Sequence, residues 1–432
     1  MEAMGFIVPP SRVVINIDYG QRMAMERTPA PVHWLTTAEV ARRLGVKPAT
    51  IYAYVSRGVL TRHRDPADRT SRFPAHEIEA LALRGRPREA SQQRALEFQM
   101  ETRITEIDGH TIRFRGHDVT TLARTHTFEQ VAELLWSGEL PASATWPVVR
   151  VAMHGEPDRM GEWLQLVAAH VAVGPVGRRH RESVPDEGRR IISALVDSLP
   201  VVGDGRSPRL VLADDSVVRG SLAGRLWAGL APRRPTPALV ATMNAALVRL
   251  ADHEMAASTL AARVAASTRA GPHAVVAAGM GALSGPLHGG ESRRCRHVLR
   301  TAAGLSASSA IGAALQFHGR VPGFGQVLYP QGDPRAVLLL QMLREAGPHP
   351  MIDVADRLIE AAARRRLPPP NVDLALALFG AVTDMREDGA EAVFTSARVA
   401  GWLAHAMEEY EERPLRFRPR ATYVGVRSVD RG

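Results

Sequence analysis

Gly285-Pro-Leu-His-Gly-Gly290 and, further along, Gly332-Asp-Pro-Arg335 are the two stretches on which the reading of this chain turns. In the first, a lone histidine, His288, stands between Pro-Leu and two glycines. Gly289 and Gly290 carry no side chain, so the backbone can come close to a bound molecule there. In the second, Arg335 offers a planar fork of donors that matches a carboxylate with two hydrogen bonds, which a lysine cannot do. Around both, from about Glu101 onward, Ala, Leu and Val recur at helical spacing with few β-branched alternations. Pro-rich breaks at Ala231-Pro-Arg-Arg-Pro-Thr-Pro and Leu367-Pro-Pro-Pro-Asn punctuate the pattern. The large C-terminal part is therefore mainly α-helical.

The chain has 432 residues, 45% hydrophobic and 23% charged, the balance of a globular protein with a sizeable core. Its single cysteine, Cys295, cannot form an internal disulfide, so no oxidising compartment is needed. No stretch approaches the ~20 uninterrupted apolar residues of a membrane helix. The start, Met1-Glu-Ala-Met-Gly-Phe-Ile-Val-Pro-Pro, is too short and too broken by proline to be a signal peptide. The expectation is a cytoplasmic protein with no membrane partner. There is no His-Glu-x-x-His, no cysteine pair and no phosphate loop, so neither a metal nor nucleotide hydrolysis is predicted. Ala278-Gly-Met-Gly-Ala-Leu-Ser-Gly285 reads as close helix packing rather than a dinucleotide fingerprint.

Lys47 is the only lysine; the remaining basic residues are arginines, a skew of coding bias rather than a phosphate-binding surface. The charge is uneven: between His33 and Gln99 there are 12 basic and 7 acidic residues, so more than half of the net +9 lies in a short stretch. Residues 1–32 read as a disordered leader, or as an over-extended start with Met23 or Met25 the true initiator. Thr36-Thr-Ala-Glu39 has capping-box spacing, with Val40, Ala41 and Leu44 on one face and Gly45 ending the helix. Pro48 suits the first turn of a second helix, on which Ile51 and Val55 point inward while Thr50, Tyr52 and Arg57 point outward. Two short helices about a tight turn make a helix-turn-helix. Val59–Arg64 and Ser71-Arg-Phe then read as a two-stranded wing, from which Arg62, Arg64, Arg69 and Arg72 can meet phosphates. With Lys47, Thr50, Tyr52 and Arg57, Arg62 and Arg64 form the candidate DNA-binding set. Residues 33–84 resemble the excisionase-like and mercury-resistance-regulator-like winged helix-turn-helix families, and 85–100 read as a linker to a unit at 101–432.

In that unit four ordered segments stand together. Thr105–Asp118 leads into Phe128–Leu135 and Gly138-Glu-Leu-Pro141. His253–Arg263 is followed by Gly285–Gly290, and then by Val321-Pro-Gly-Phe-Gly-Gln-Val-Leu-Tyr-Pro-Gln-Gly-Asp-Pro-Arg335. Last come Pro370-Asn-Val-Asp373, Arg398-Val-Ala-Gly-Trp-Leu-Ala-His405 and Phe417-Arg-Pro-Arg-Ala-Thr-Tyr-Val-Gly425. In this order they resemble the citrate synthase family from about Glu101 to Gly425. The resemblance implies all-helical large and small subdomains, the small one at roughly 290–395, and a homodimer.

The resemblance also implies the chemistry. Condensing acetyl-CoA with oxaloacetate requires a base for a methyl proton, a donor for the enol and an activated ketone. By resemblance Asp373 is the base; read alone, it also fits an ordinary helix-start aspartate after three prolines. His288 is the neutral donor to the thioester oxygen, a role worth ~3–4 kcal/mol in comparable sites. Arg335, Arg398 and Arg418 would hold the dianion, with Arg418 reaching in from the partner subunit, and His253 would complete the pocket. No cofactor is expected beyond acetyl-CoA as substrate.

The pattern breaks at Gln326, where the family has a histidine after Gly-Phe-Gly that protonates the ketone. A glutamine amide donates a hydrogen bond but has no titratable proton, a loss that typically costs ~10²–10⁴ in rate. His318 is close by in sequence, as a structural residue or a substitute acid. Glu291, where the family usually has a small residue, adds a negative charge. Two functions remain open: an acyl-CoA condensing enzyme, using acetyl-CoA or propionyl-CoA, and a DNA-binding regulator whose pocket senses a dicarboxylate or an acyl-CoA.

Overall fold

The computed structural model describes residues 34–78, apart from 45, 57–59, 66–69 and 76, and residues 100–423, apart from 154–158, 173–182, 200–219, 286–287 and 422. The chain divides into two compact units, Met1–Met100 and Glu101–Gly432. The expected leader, Arg57, Arg69 and all but the last residue of the expected linker lie outside the described residues.

In the first unit, β1 (Trp34–Thr36) leads into α1 (Thr37–Leu44) and α2 (Pro48–Ser56), followed by β2 (His63–Arg64) and β3 (Ser71–Pro74). The capping box forms as its spacing predicts: Glu39 N donates to Thr36 Oγ1 at 3.3 Å, and Thr36 N donates to Glu39 Oε2 at 2.7 Å. Val40 and Ile51 are fully buried with Leu60, Phe73 and Ile78, whereas Val55 is only partly buried against them. The wing has three strands rather than two. Its centre is β3, antiparallel to β2 with His63 opposite Arg72, and to β1 with Leu35 opposite Phe73. β1 joins because Leu35 packs on the same apolar cluster.

The second unit opens with a small antiparallel sheet of β4 (Thr105–Asp108), β5 (Thr111–Phe114) and β6 (His117–Asp118), on whose inner face Ile112 and Phe114 are buried. Helices α3 (Val119–Thr125), α4 (Phe128–Ser137), α5 (Met160–Val171) and α6 (Val184–Asp197) follow. After them come α7 (Leu222–Leu230), α8 (Pro237–Leu250), α9 (Ala257–Ser267) and α10 (Pro272–Leu283). A second group contains α11 (Glu291–Gly304), α12 (Ala307–His318), α13 (Pro334–Glu345), α14 (Pro350–Arg364) and α15 (Val372–Val382). The described helices end with α16 (Gly389–Glu411). Both Pro-rich breaks end in helix starts: Thr236 caps α8 ahead of Pro237, and Asn371 caps α15.

α16 is buried along almost its whole length, with α4, α5, α6, α8, α9 and α10 packed around it. A helix enclosed this way must bury its polar side chains with partners. His405 Nε2 lies 3.3 Å from Asp252 Oδ2, and Arg263 Nε donates to Glu409 Oε2 at 3.0 Å. The end of α8 is stitched to the same helix: Arg398 Nε donates to Leu250 O at 2.7 Å, and Gly401 N to Ala251 O at 3.0 Å. α11–α15 pack on one another and meet the first group where α13 touches α8 and where α11 and α15 touch α16. Among the described residues no helix is long and apolar enough to cross a membrane.

The seam at Gly401 leaves no room for a methyl group: a Cβ there would sit 2.4 Å from both Ala251 O and Asp252 Oδ1. Gly401→Ala is expected to lower stability by about 1–3 kcal/mol, the usual cost of overpacking a rigid contact, read as a lower urea midpoint. An unchanged midpoint would show that α8 and α16 separate there without cost.

Candidate active site

Phe324 and Pro370 form an isolated antiparallel bridge, and around it two loops are tied together. Gly325 N donates to Pro369 O at 2.8 Å and Asn371 N to Gly323 O at 2.9 Å, while Asn371 Nδ2 reaches Gly325 O at 3.0 Å. Gly323 and Gly325 have φ of +85° and +86°, a region that favours glycine. At Gly323 a side chain would also meet Leu374 Cβ at 2.9 Å and Cys295 Sγ at 3.0 Å. This pairing sets Gln326 beside the start of α15. There Asn371 Oδ1 accepts from Asp373 N at 3.0 Å and so orients the first helical turn.

His253 follows α8, and the next residue, Glu254, is held at a left-handed φ of +52°. The His253 ring is buried, with Nε2 2.8 Å from the Tyr329 hydroxyl. His288 lies in the turn between α10 and α11, with Nε2 2.9 Å from Ser258 Oγ and its ring edge-on to Phe394. The neighbouring glycine has a local task rather than the expected one of admitting substrate: a Cβ on Gly289 would fall 2.7 Å from Leu283 O. Arg335, in the first turn of α13, is clamped by Asp333 through Nε at 2.9 Å and Nη2 at 2.8 Å, and Asp333 Oδ2 also accepts from Val372 N at 3.0 Å. That carboxylate therefore fixes α13 and α15 together.

His253, His288, Gln326, Arg335, Asp373 and Arg398 line one cavity of about 280 Å³, although they come from six separate places in the chain. Arg418 is exposed and is not among the lining residues. His318, at the end of α12, lines a different cavity and so does not stand in for the missing acid. Glu291 lines the site as the sequence reading feared, but its charge is matched: Arg320 donates to it from Nη1 at 2.6 Å and Nη2 at 2.8 Å. Ser258, Tyr329, Asp333, Asn371, Arg320 and Phe394 were not read as site residues. Asp333 and Asn371 carried a signal, since each is an Asp or Asn one residue before a helix start. Ser258 carried none, because its partner His288 is 30 residues away.

The electrostatics follow from enclosure. Burial, with Arg398 nearby, pulls the His288 imidazole down to about 4, so it is neutral at ordinary pH and carries one ring N–H. Burial and the surrounding Arg335, Arg398 and His288 hold His253 well below the usual histidine range. Burial pushes the Asp373 carboxyl up to about 7, with Arg335 and Arg320 pulling against it and Glu291 and Asp333 reinforcing it. Its carboxylate makes no hydrogen bond among the described residues, and neither does the half-buried Gln326 side chain. Arg398 is 1% exposed and brought down to about 10, by burial first and Arg335 second, against the pull of Asp252. Its Nη2 is buried without a partner. An unpaired guanidinium N–H facing a cavity is a docking point for an anion.

The profile of the citrate synthase C-terminal domain matches residues 97–173 and 179–420, and that of a helix-turn-helix domain matches 34–86. The chain belongs to the citrate synthase family. It is 28% identical over 358 residues to citrate synthase 2 of Bacillus subtilis, covering 74% of this chain and 92% of that one. To 2-methylcitrate synthase 2 of Corynebacterium glutamicum it is 30% identical over 348 residues, 73% and 89% of the two chains. The crystal structure of citrate synthase from Thermotoga maritima superposes with a TM-score of 0.63 at 25% identity, covering 78% of this chain and 97% of that one. The mainly helical fold and the citrate synthase-like cavity are thus those of the family, joined here to a helix-turn-helix unit.

Asp373 couples this site to stability. Its folded value of about 7 exceeds the ordinary 3.8, so its proton favours the folded state at low pH, and that contribution is lost as pH rises through about 7. Asp373→Asn is expected to raise the melting temperature over wild type at pH 8 and to leave it nearly unchanged at pH 4. An equal effect at both values would mean that the carboxyl does not titrate in this window.

Proposed function

We propose that this chain condenses an acyl-CoA with oxaloacetate, acetyl-CoA and water giving citrate and free CoA. The observation that carries this is a carboxyl poised near neutrality, a neutral imidazole and a buried unpaired guanidinium on one small cavity. Asp373 takes the α-proton of the thioester. The imidazole of His288 donates its N–H to the thioester oxygen as the enol forms, and Ser258 Oγ on Nε2 restrains the ring. The enol carbon attacks the ketone of oxaloacetate, whose carboxylates meet Arg398 and Arg335, with His253 beside them. Water then cleaves the thioester.

Gln326 reaches the ketone as a neutral amide donor, so the developing alkoxide is stabilised but not protonated from this position. Arg418 completes the dianion site only from a partner subunit, which makes a homodimer the active unit; its exposure in the single chain agrees with that role. Propionyl-CoA is the competing acyl donor, since relatives include a 2-methylcitrate synthase.

The test is thiol release from acetyl-CoA or propionyl-CoA in the presence of oxaloacetate. Turnover should rise with pH through about 7 as Asp373 ionises, vanish in Asp373→Ala and increase by about 10²-fold in Gln326→His. No thiol release by wild type and by Gln326→His alike would remove the reading.

A second reading concerns the first unit. Lys47, Tyr52, Arg62 and Arg64 are exposed and Thr50 is half-buried; the Tyr52 hydroxyl bonds Thr37 and Ser71, with Arg62 and Arg64 close by. These groups make a basic face on a helix-turn-helix, fit for DNA, and with Gln326 they support a regulator that senses a dicarboxylate or acyl-CoA. Duplex DNA should bind with an affinity that falls steeply with salt, and Arg62→Ala with Arg64→Ala should lower the salt slope by about two. A slope that is the same in the double variant would separate these arginines from any DNA contact.

A further inference from the structure

A second cavity of about 880 Å³ lies on the other side of α11 from the condensation site. Its floor is apolar: Val298 of α11 and Ala310, Ala313 and Ala314 of α12, with Phe317 standing at its edge 77% exposed. Its rim is cationic, with Arg159 before α5 and Arg293 and Arg294 in the first turns of α11. Two of these have acids nearby: Arg159 lies 3.4 Å from Glu162, and Arg294 lies 3.6 Å from Glu291. Arg293 has no ion-pair partner among the described residues, and it sits at a helix N-terminus, where the dipole already disfavours a cation.

The cavity also holds an acid without a partner. Glu391, in the first turn of α16, is 6% exposed and lines the cavity, and its carboxyl makes no hydrogen bond among the described residues. Its Oε1 fills the space where a Cβ on Gly161 would be, 2.2 Å away, so the backbone of α5 makes room for it. Burial lifts this carboxyl above the ordinary range while Arg159 and Arg293 pull the other way. A buried polar group of this kind loses free energy unless something fills the cavity and pairs with it.

We propose that this cavity is a binding site for an amphipathic organic anion, its apolar body on the α11–α12 floor and its acidic group between Arg293 and Arg159. The neutral acid of Glu391 donates to the same end of the ligand. A purely apolar occupant would leave Arg293 and Glu391 unanswered, and a small hydrophilic anion would leave the alanine floor wet. The site is independent of the condensation reading, because none of its lining residues belongs to the other cavity.

The experiment uses the full chain and anilinonaphthalene sulfonate, an aromatic amphipathic anion whose fluorescence rises in apolar surroundings. Saturable binding at one site per chain is expected, displaced by decanoate at least tenfold more effectively than by decanol, and not by citrate. Arg293→Glu, on an exposed position, should weaken probe binding about tenfold, and Ala313→Trp should fill the floor and abolish it. Unsaturable binding, displacement by citrate, equal displacement by decanol and decanoate, or an affinity unchanged in both variants would each overturn the proposal. If Ala313→Trp does not fold, the Arg293→Glu titration decides alone.

Discussion

Everything in the second unit hangs on the contact between the C-terminus of α8 and the middle of α16. Leu250, Ala251 and Asp252 each bond α16, through Arg398, Gly401 and His405. The helix backbone can come this close only because residue 401 has no side chain. The contact sets the direction in which His253 leaves α8 and the depth at which Arg398 stands in the cavity. It also explains why a helix as long as α16 can run through the centre of the fold carrying Arg398, His405 and Glu409: their charges are answered by buried partners rather than by water.

The cavity itself works by unequal pairing. Asp333 answers Arg335 and Glu291 answers Arg320, in each case with two hydrogen bonds. Arg398 keeps one N–H unanswered, and the Asp373 carboxyl has no partner among the described residues. Paired charges give the wall its shape, and the unpaired ones keep a need that a substrate can meet. Stability is given up at such points, which is the usual relation between a functional centre and its scaffold. The same logic recurs behind α11, where Arg293 and Glu391 stand unanswered above an apolar floor.

Much of this was legible from the chain. The helix starts were, because caps are local: Thr36 with Glu39 and the helix begun at Pro48 need only neighbours a few residues away. Six of the seven residues read as condensation-site groups share one cavity, since ordered motifs carry a family's spatial arrangement even when the residues between them differ. The third strand of the wing was not read, because Trp34-Leu-Thr36 is too short to show an alternation and joins the sheet only through Leu35 and its pairing with β3. His318 misled as a substitute acid because closeness in sequence says nothing about which face of α12 it occupies.

By itself the sequence determined the helical periodicity, the breaks, the two-unit plan and the absence of a titratable proton at Gln326, all of which depend on residue identity and short-range spacing. The tertiary structure alone decided which charges are answered. That Glu291 is matched by Arg320, that Ser258 restrains His288, and that Arg398 is left with a free N–H depend on distances between segments far apart in the chain. Protonation is decided there too. An aspartate at a helix start is an ordinary acid until folding removes its water, and only the closed cavity around Asp373 lifts it to about 7.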